Sequence, residues 1–126
     1  MKTIQTENAP AAIGPYSQAL VAGGFLYTSG QLGINPETGL LEADVRSQAA
    51  RSLRNIQAIL NRAGFSKTDV VKTVIFLKDM SDFAAVNEIY ADFFGSHKPA
   101  RSCVEVARLP KDGLIEIEAV AQRAEA

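Results

Sequence analysis

Lys98-Pro99-Ala100-Arg101-Ser102-Cys103-Val104-Glu105-Val106-Ala107-Arg108-Leu109-Pro110-Lys111-Asp112-Gly113-Leu114-Ile115-Glu116-Ile117-Glu118-Ala119-Val120-Ala121 is the stretch on which the fold turns. It reads as two strands, about Arg101–Ala107 and about Leu114–Gln122, joined by a turn containing Pro110 and Gly113. Alternation sorts each strand into faces. Ser102, Val104 and Val106 share one face of the first strand; Arg101, Cys103 and Glu105 share the other. On the second, Ile115, Ile117, Ala119 and Ala121 face one way and Leu114, Glu116, Glu118 and Val120 the opposite way. If the two strands pair, Arg101, Cys103, Glu105, Glu116 and Glu118 gather on one side of a sheet. A guanidinium, a thiol and carboxylates together are unremarkable in water and unusual when buried.

The sequence before this stretch supplies the rest of the sheet. Lys2–Thr6 alternates weakly, as an edge strand does. Asn8–Pro15 is a loop punctuated by Pro10 and Pro15. Tyr16–Val21 and Phe25–Ser29 read as two strands joined by a hairpin turn at Ala22-Gly23-Gly24, where glycine accepts positive φ. Gly30-Gln31-Leu32-Gly33 then leaves the sheet, and Asn35–Gly39 is a second turn. Asp44 is placed to cap a helix over Val45–Ala63. Val45, Ala49, Leu53, Ile56, Ile59, Leu60 and Ala63 form its apolar stripe, and Gly64 stops it. Val70–Leu77 is a strand rich in β-branched residues. Ser81 is placed to cap a second helix, Asp82–Phe94, with Phe83, Val86, Ile89, Tyr90 and Phe93 on its buried side.

The pattern predicts an α/β (α+β) fold: a single mixed sheet with both helices packed on one face. The uncovered face would carry Arg101, Cys103, Glu105, Glu116 and Glu118 beside Leu114 and Val120. Such a half-apolar face favours contact with another subunit. An arginine buried there needs a carboxylate or a ligand anion.

With 126 residues, the chain suits one domain over positions 1–126. The net charge of −1 gives no bulk attraction for nucleic acid or an anionic membrane. Arg46, Arg51, Arg54 and Arg62 read as a solvated helix face. Cys103 is the only cysteine, which suits a reducing compartment. The opening residues lack the apolar run of a signal peptide, and nothing approaches the ~18 apolar residues of a membrane span. A cytoplasmic protein is expected.

Several runs then point to a family. Pro99–Ala119 resembles the signature of the RidA subgroup of the Rid family of enamine/imine deaminases. Ala12-Ile13-Gly14-Pro15-Tyr16-Ser17-Gln18-Ala19 resembles the family's N-terminal motif. Thr28-Ser29-Gly30-Gln31-Leu32-Gly33 resembles its second motif, and Phe83-Ala84-Ala85-Val86-Asn87-Glu88-Ile89-Tyr90 its helix motif. The resemblance implies a chorismate-mutase-like fold and a homotrimer with active sites in the clefts between subunits. It implies hydrolysis of 2-iminopropanoate or 2-iminobutanoate, with their enamine tautomers, to a 2-oxo acid and ammonia. That reaction would protect pyridoxal-phosphate enzymes from damage. Neither a cofactor nor a metal is implied for the protein itself.

Each candidate residue has a plain reading beside the functional one. Arg101 matches a substrate carboxylate bidentately. From spacing alone an ion pair with Glu105 or Glu118 is favoured, and the resemblance reverses that. Glu116 is the candidate to activate water. Glu118 shares its face, and only the family pattern selects Glu116. Cys103 is expected to line the pocket with its main chain near the substrate nitrogen; a small buried hydrophobe is the plain alternative. Tyr16 and Asn87 resemble pocket positions, against ordinary packing and a surface asparagine. Gly30 permits close ligand approach and Ser29 offers a hydroxyl or N–H donor, against a simple strand-ending turn. Together, Arg101 would fix the carboxylate, Glu116 would position water, and the adduct would collapse with loss of ammonia. The rival classes are a ribonuclease or translation inhibitor and a holdase-like ligand-binding trimer.

Overall fold

In the computed structural model, which describes residues 1–123, the alternating segments form seven strands. They are β1 (Lys2–Ile4), β2 (Ala19–Ala22), β3 (Phe25–Thr28), β4 (Gln31–Leu32), β5 (Val70–Leu77), β6 (Ala100–Glu105) and β7 (Ile115–Gln122). The helices are α1 (Val45–Ala63) and α2 (Phe83–Phe94). All strands join one sheet in the order β1-β2-β3-β7-β5-β6, with β4 also paired to β7. Only β5 and β6 run parallel, so the sheet is mixed. No helix among the described residues is long and apolar enough to cross a membrane.

Local chemistry explains the elements. Gly23 and Gly24, at φ 58° and 80°, make the two-residue hairpin between β2 and β3. The Asp44 carboxylate accepts from the Ser47 N–H at 2.8 Å, and the Asp44 N–H donates to the Ser47 hydroxyl at 3.2 Å. This reciprocal cap fixes the start of α1. Gly64 ends it in the left-handed region at φ 78°. Helix α2 begins one residue later than its periodicity suggests. A 3-10 turn over Met80–Asp82 precedes it, and the Asp79 carboxylate, rather than Ser81, accepts the N-terminal N–H, from Ser81 at 2.9 Å.

Both helices cover one face, as the pattern predicts. Leu53, Ile56, Ile59 and Leu60 of α1 and Val86 and Phe94 of α2 bury against Ile75, Leu77, Ile115 and Ile117. At about 25 cal/mol per Å² of apolar surface, this layer dominates the stabilising side of folding.

Two expectations are corrected. Gln31 and Leu32 do not leave the sheet; they pair with Ile117 and Glu116. More consequentially, β6 and β7 do not pair. Strand β5 lies between them, with Thr73 opposite Arg101 on one side and Ala119 on the other. The register puts Arg101, Cys103 and Glu105 on the helix-covered face with Thr73, Ile75 and Leu77. Glu116 and Glu118 lie on the open face with Phe76 and Val74. The physical reason is the edge position of β6. Its helix-side positions fall at the rim of the layer, where charge is tolerated, so polarity stops marking the open face. Ser102 and Val104 consequently point to the open side.

Candidate functional site

Within one chain the expected site residues fall into two groups on opposite faces. The first surrounds a cavity of about 690 Å³ lined by Tyr16, Ser29, Gly30, Leu32 and Glu116, among others. The second surrounds a cleft of about 410 Å³ that includes Asn87, Tyr90, His97 and Arg101.

In the first cavity, Glu116 projects from β7 and lies directly over Gly30. A β-carbon at Gly30 would stand 2.6 Å from the Glu116 carboxyl carbon. A side chain there would displace the carboxylate from its place, so Gly30 makes room for Glu116. Burial, then the neighbouring charge of Glu118, pushes the Glu116 carboxyl above its ordinary value of 4.5. Ser29 supports the wall. Its hydroxyl donates to the Ser17 carbonyl at 2.6 Å and its N–H to the Gln18 carbonyl at 2.8 Å. Both expected donors are thus engaged inside the chain. Tyr16 is 54% exposed, on a turn in which its N–H donates to the Gly14 carbonyl at 2.9 Å.

Two sets of buried polar side chains hold this cavity together. Gln18 ties down the N-terminal loop: its carbonyl oxygen accepts from the Thr6 N–H at 2.7 Å, and its amide donates to the Thr6 carbonyl at 3.0 Å and the Pro10 carbonyl at 2.8 Å. On α1, Gln48, Ser52 and Asn55 grip the segment after Gly30. Ser52 donates to the Gln31 carbonyl at 2.7 Å and Asn55 to the Ile34 carbonyl at 2.9 Å. Gln48 accepts from the Leu114 N–H at 2.9 Å, next to β7. The sequence reading missed these residues. Their i, i+4, i+7 spacing beside the apolar stripe is a signal that could have found them.

In the second cleft, Arg101 Nη1 donates to Asn87 Oδ1 at 2.8 Å. The guanidinium carbon lies 4.8 Å from the Tyr90 ring centroid and 5.4 Å from that of Phe83. No ion pair among the described residues involves Arg101. The anticipated Glu105 partner instead accepts the Met80 N–H at 2.8 Å. Arg101 thus presents a positive charge, fixed in orientation but not neutralised by a carboxylate. Cys103, two residues on, packs partly buried against the core. Burial pushes its thiol up, against the opposing pull of Arg101, which disfavours the thiolate a nucleophile needs.

A further cavity, about 810 Å³, follows α1 past Arg51, Arg54 and Arg62 and holds none of the expected residues. Arg51 is paired with Glu42 at 2.9 Å, and Arg62 donates to the Gln5 carbonyl at 3.0 Å. That groove is a largely satisfied surface.

Residues 6–123 match the endoribonuclease L-PSP family. The 2-iminobutanoate/2-iminopropanoate deaminase of Escherichia coli K12 is 58% identical over 125 residues, covering 97% of this chain and 98% of its own. A RutC family protein of Pyrococcus horikoshii is 56% identical over 123 residues, with 97% and 98% coverage. The crystal structure of E. coli TdcF with bound serine superposes with a TM-score of 0.95 at 50% identity, covering 98% of this chain and 100% of that one.

Proposed function

The chain belongs to the endoribonuclease L-PSP family, and from that premise we propose that it is a 2-imino acid deaminase whose active site is completed by two copies of the chain in a homotrimer. The observation that carries the reading is the division of the chemistry. An arginine with no carboxylate partner among the described residues sits on one face of the sheet, and a carboxylate of raised pKa sits over a cavity on the other. Arg101 and Glu116 are separated by one intervening strand, about 10 Å laterally, and by the sheet itself. One chain cannot apply both to a small substrate. A second copy, seated on the open face around Val74, Phe76, Val104 and Val120, supplies the missing half.

The substrate class follows from the two ends. Arg101 takes the carboxylate of a 2-imino acid in its planar fork. Bound serine in TdcF carries the same α-carboxylate. Glu116, closer to neutrality than an ordinary glutamate, accepts a proton from water as the oxygen attacks the C=N carbon. Glu116 gives that proton to the imine nitrogen, the hydroxyl proton of the tetrahedral adduct then passes by way of Glu116 to the amine as the C–N bond breaks, and ammonia and the 2-oxo acid leave with the carboxylate restored. Imines hydrolyse unaided, so positioning and modest electrostatic help suffice. Tyr16, Ser29 and Gly30 shape the wall around Glu116, and Asn87 and Cys103 the surroundings of Arg101. A reducing cytoplasm suits the single cysteine.

The test is an imine-scavenging assay. An amino-acid oxidase generates 2-imino acids in the presence of semicarbazide, and the protein competes for them. Wild type should suppress semicarbazone formation and Arg101→Ala, folded, should not. Equal suppression by both would overturn the role of Arg101, and none by wild type on any imine would overturn the deaminase.

A further inference from the structure

The guanidinium of Arg101 rests on a buried support that links α2 to the neighbouring strand β5. Tyr90 of α2 is 7% exposed, and its ring lies 4.8 Å beneath the guanidinium carbon. The Tyr90 hydroxyl hydrogen-bonds the Thr73 hydroxyl at 2.7 Å. Thr73 is 1% exposed and is the residue paired with Arg101 across β5 and β6. The strand pair that places Arg101 therefore also places the group that locks its aromatic floor.

We propose that Thr73 and Tyr90 are positioning residues for Arg101, holding its guanidinium in the plane that receives the substrate carboxylate. This rests on the reading of Arg101 as the carboxylate anchor. A bidentate contact needs the guanidinium and carboxylate coplanar, and an arginine side chain has four rotatable bonds with which to lose that plane. Asn87 restrains one nitrogen. The ring face of Tyr90 restrains the plane by cation–π attraction. The ring keeps its own orientation because turning it would strand two buried hydroxyls without partners. Simple core satisfaction would instead make the Thr73–Tyr90 bond a matter of stability alone, with substrate binding untouched.

Steady-state scavenging of 2-iminobutanoate, generated in situ, separates the two. Tyr90→Phe keeps the ring and Thr73→Val keeps the volume, so both variants preserve packing; melting curves confirm that they fold. Each should raise KM about threefold, and the double variant no further, because both lose one shared hydrogen bond. The value of kcat should stay within about twofold, as expected when binding rather than chemistry is weakened. Arg101→Ala, measured alongside, should lose scavenging altogether. Unchanged KM in the Tyr90 and Thr73 variants with scavenging lost in Arg101→Ala would overturn the positioning role alone, as would single effects that add. Unchanged KM in Arg101→Ala would overturn the anchor reading and this inference with it.

Discussion

Glu116 lies where its charge is unwelcome. Burial and Glu118 both disfavour the carboxylate, so its folded pKa stands above the ordinary 4.5. A glutamate raised on folding contributes its stability below the unfolded pKa and loses it as pH rises through the folded one. At neutral pH the ionised side chain is therefore a net cost to the fold. Glu116→Gln should melt higher than wild type at pH 7, and the gap should close as pH falls below about 4.5, where both states of wild type are protonated. The same substitution should abolish scavenging. The acid limb of the wild-type rate should lie above the ordinary glutamate range, since the base is lost on protonation at its raised pKa. A Glu116→Gln protein that melts lower at pH 7, with full activity, would contradict this assignment. Selecting Glu116 over Glu118 required the family resemblance, because alternation gives both the same face. In the structure the contact with Gly30 distinguishes them.

Helix α1 does two jobs with adjacent rows of side chains. Its apolar row builds the core, while Gln48, Ser52 and Asn55 hold the Gln31–Ile34 segment and the start of β7 against it. Gly33 is part of the same fit: a β-carbon there would lie 2.4 Å from the Gln48 α-carbon. Ser52→Ala should cost about 1–3 kcal/mol by leaving the buried Gln31 carbonyl without its donor. It should also speed hydrogen exchange in β4, read by mass spectrometry, before global unfolding; unchanged exchange would remove this bracing role. The elements themselves were legible because their periods were strong. Val45–Ala63 and Val70–Leu77 stand at the boundaries the pattern indicates. The pairing of β6 with β5 was not legible. Alternation reports that a strand has two faces but not which strand lies beside it. Here β5, α2 and parallel β6 form a crossover unit, and this takes the neighbouring place that a hairpin with β7 would have filled.

At the scale of the molecule, the place of β5 between β6 and β7 decides the logic of the site. The sequence brings Arg101 and Glu116 within sixteen positions and suggests one cluster; the sheet puts them on opposite faces. The open face is half apolar, with Tyr27 48% and Val104 43% exposed, and the proposed assembly would cover it. Under the proposed assembly each copy carries half of two different sites. The most direct measurement is subunit complementation. Arg101→Ala and Glu116→Gln chains, each inactive alone, are mixed, unfolded and refolded together, and assayed for scavenging. Shared sites predict recovery of about one quarter of wild-type activity from random assortment of chains, since half of the anchors and half of the bases are intact independently. Mixed trimers that form and stay as inactive as their parents would contradict a site built from two copies.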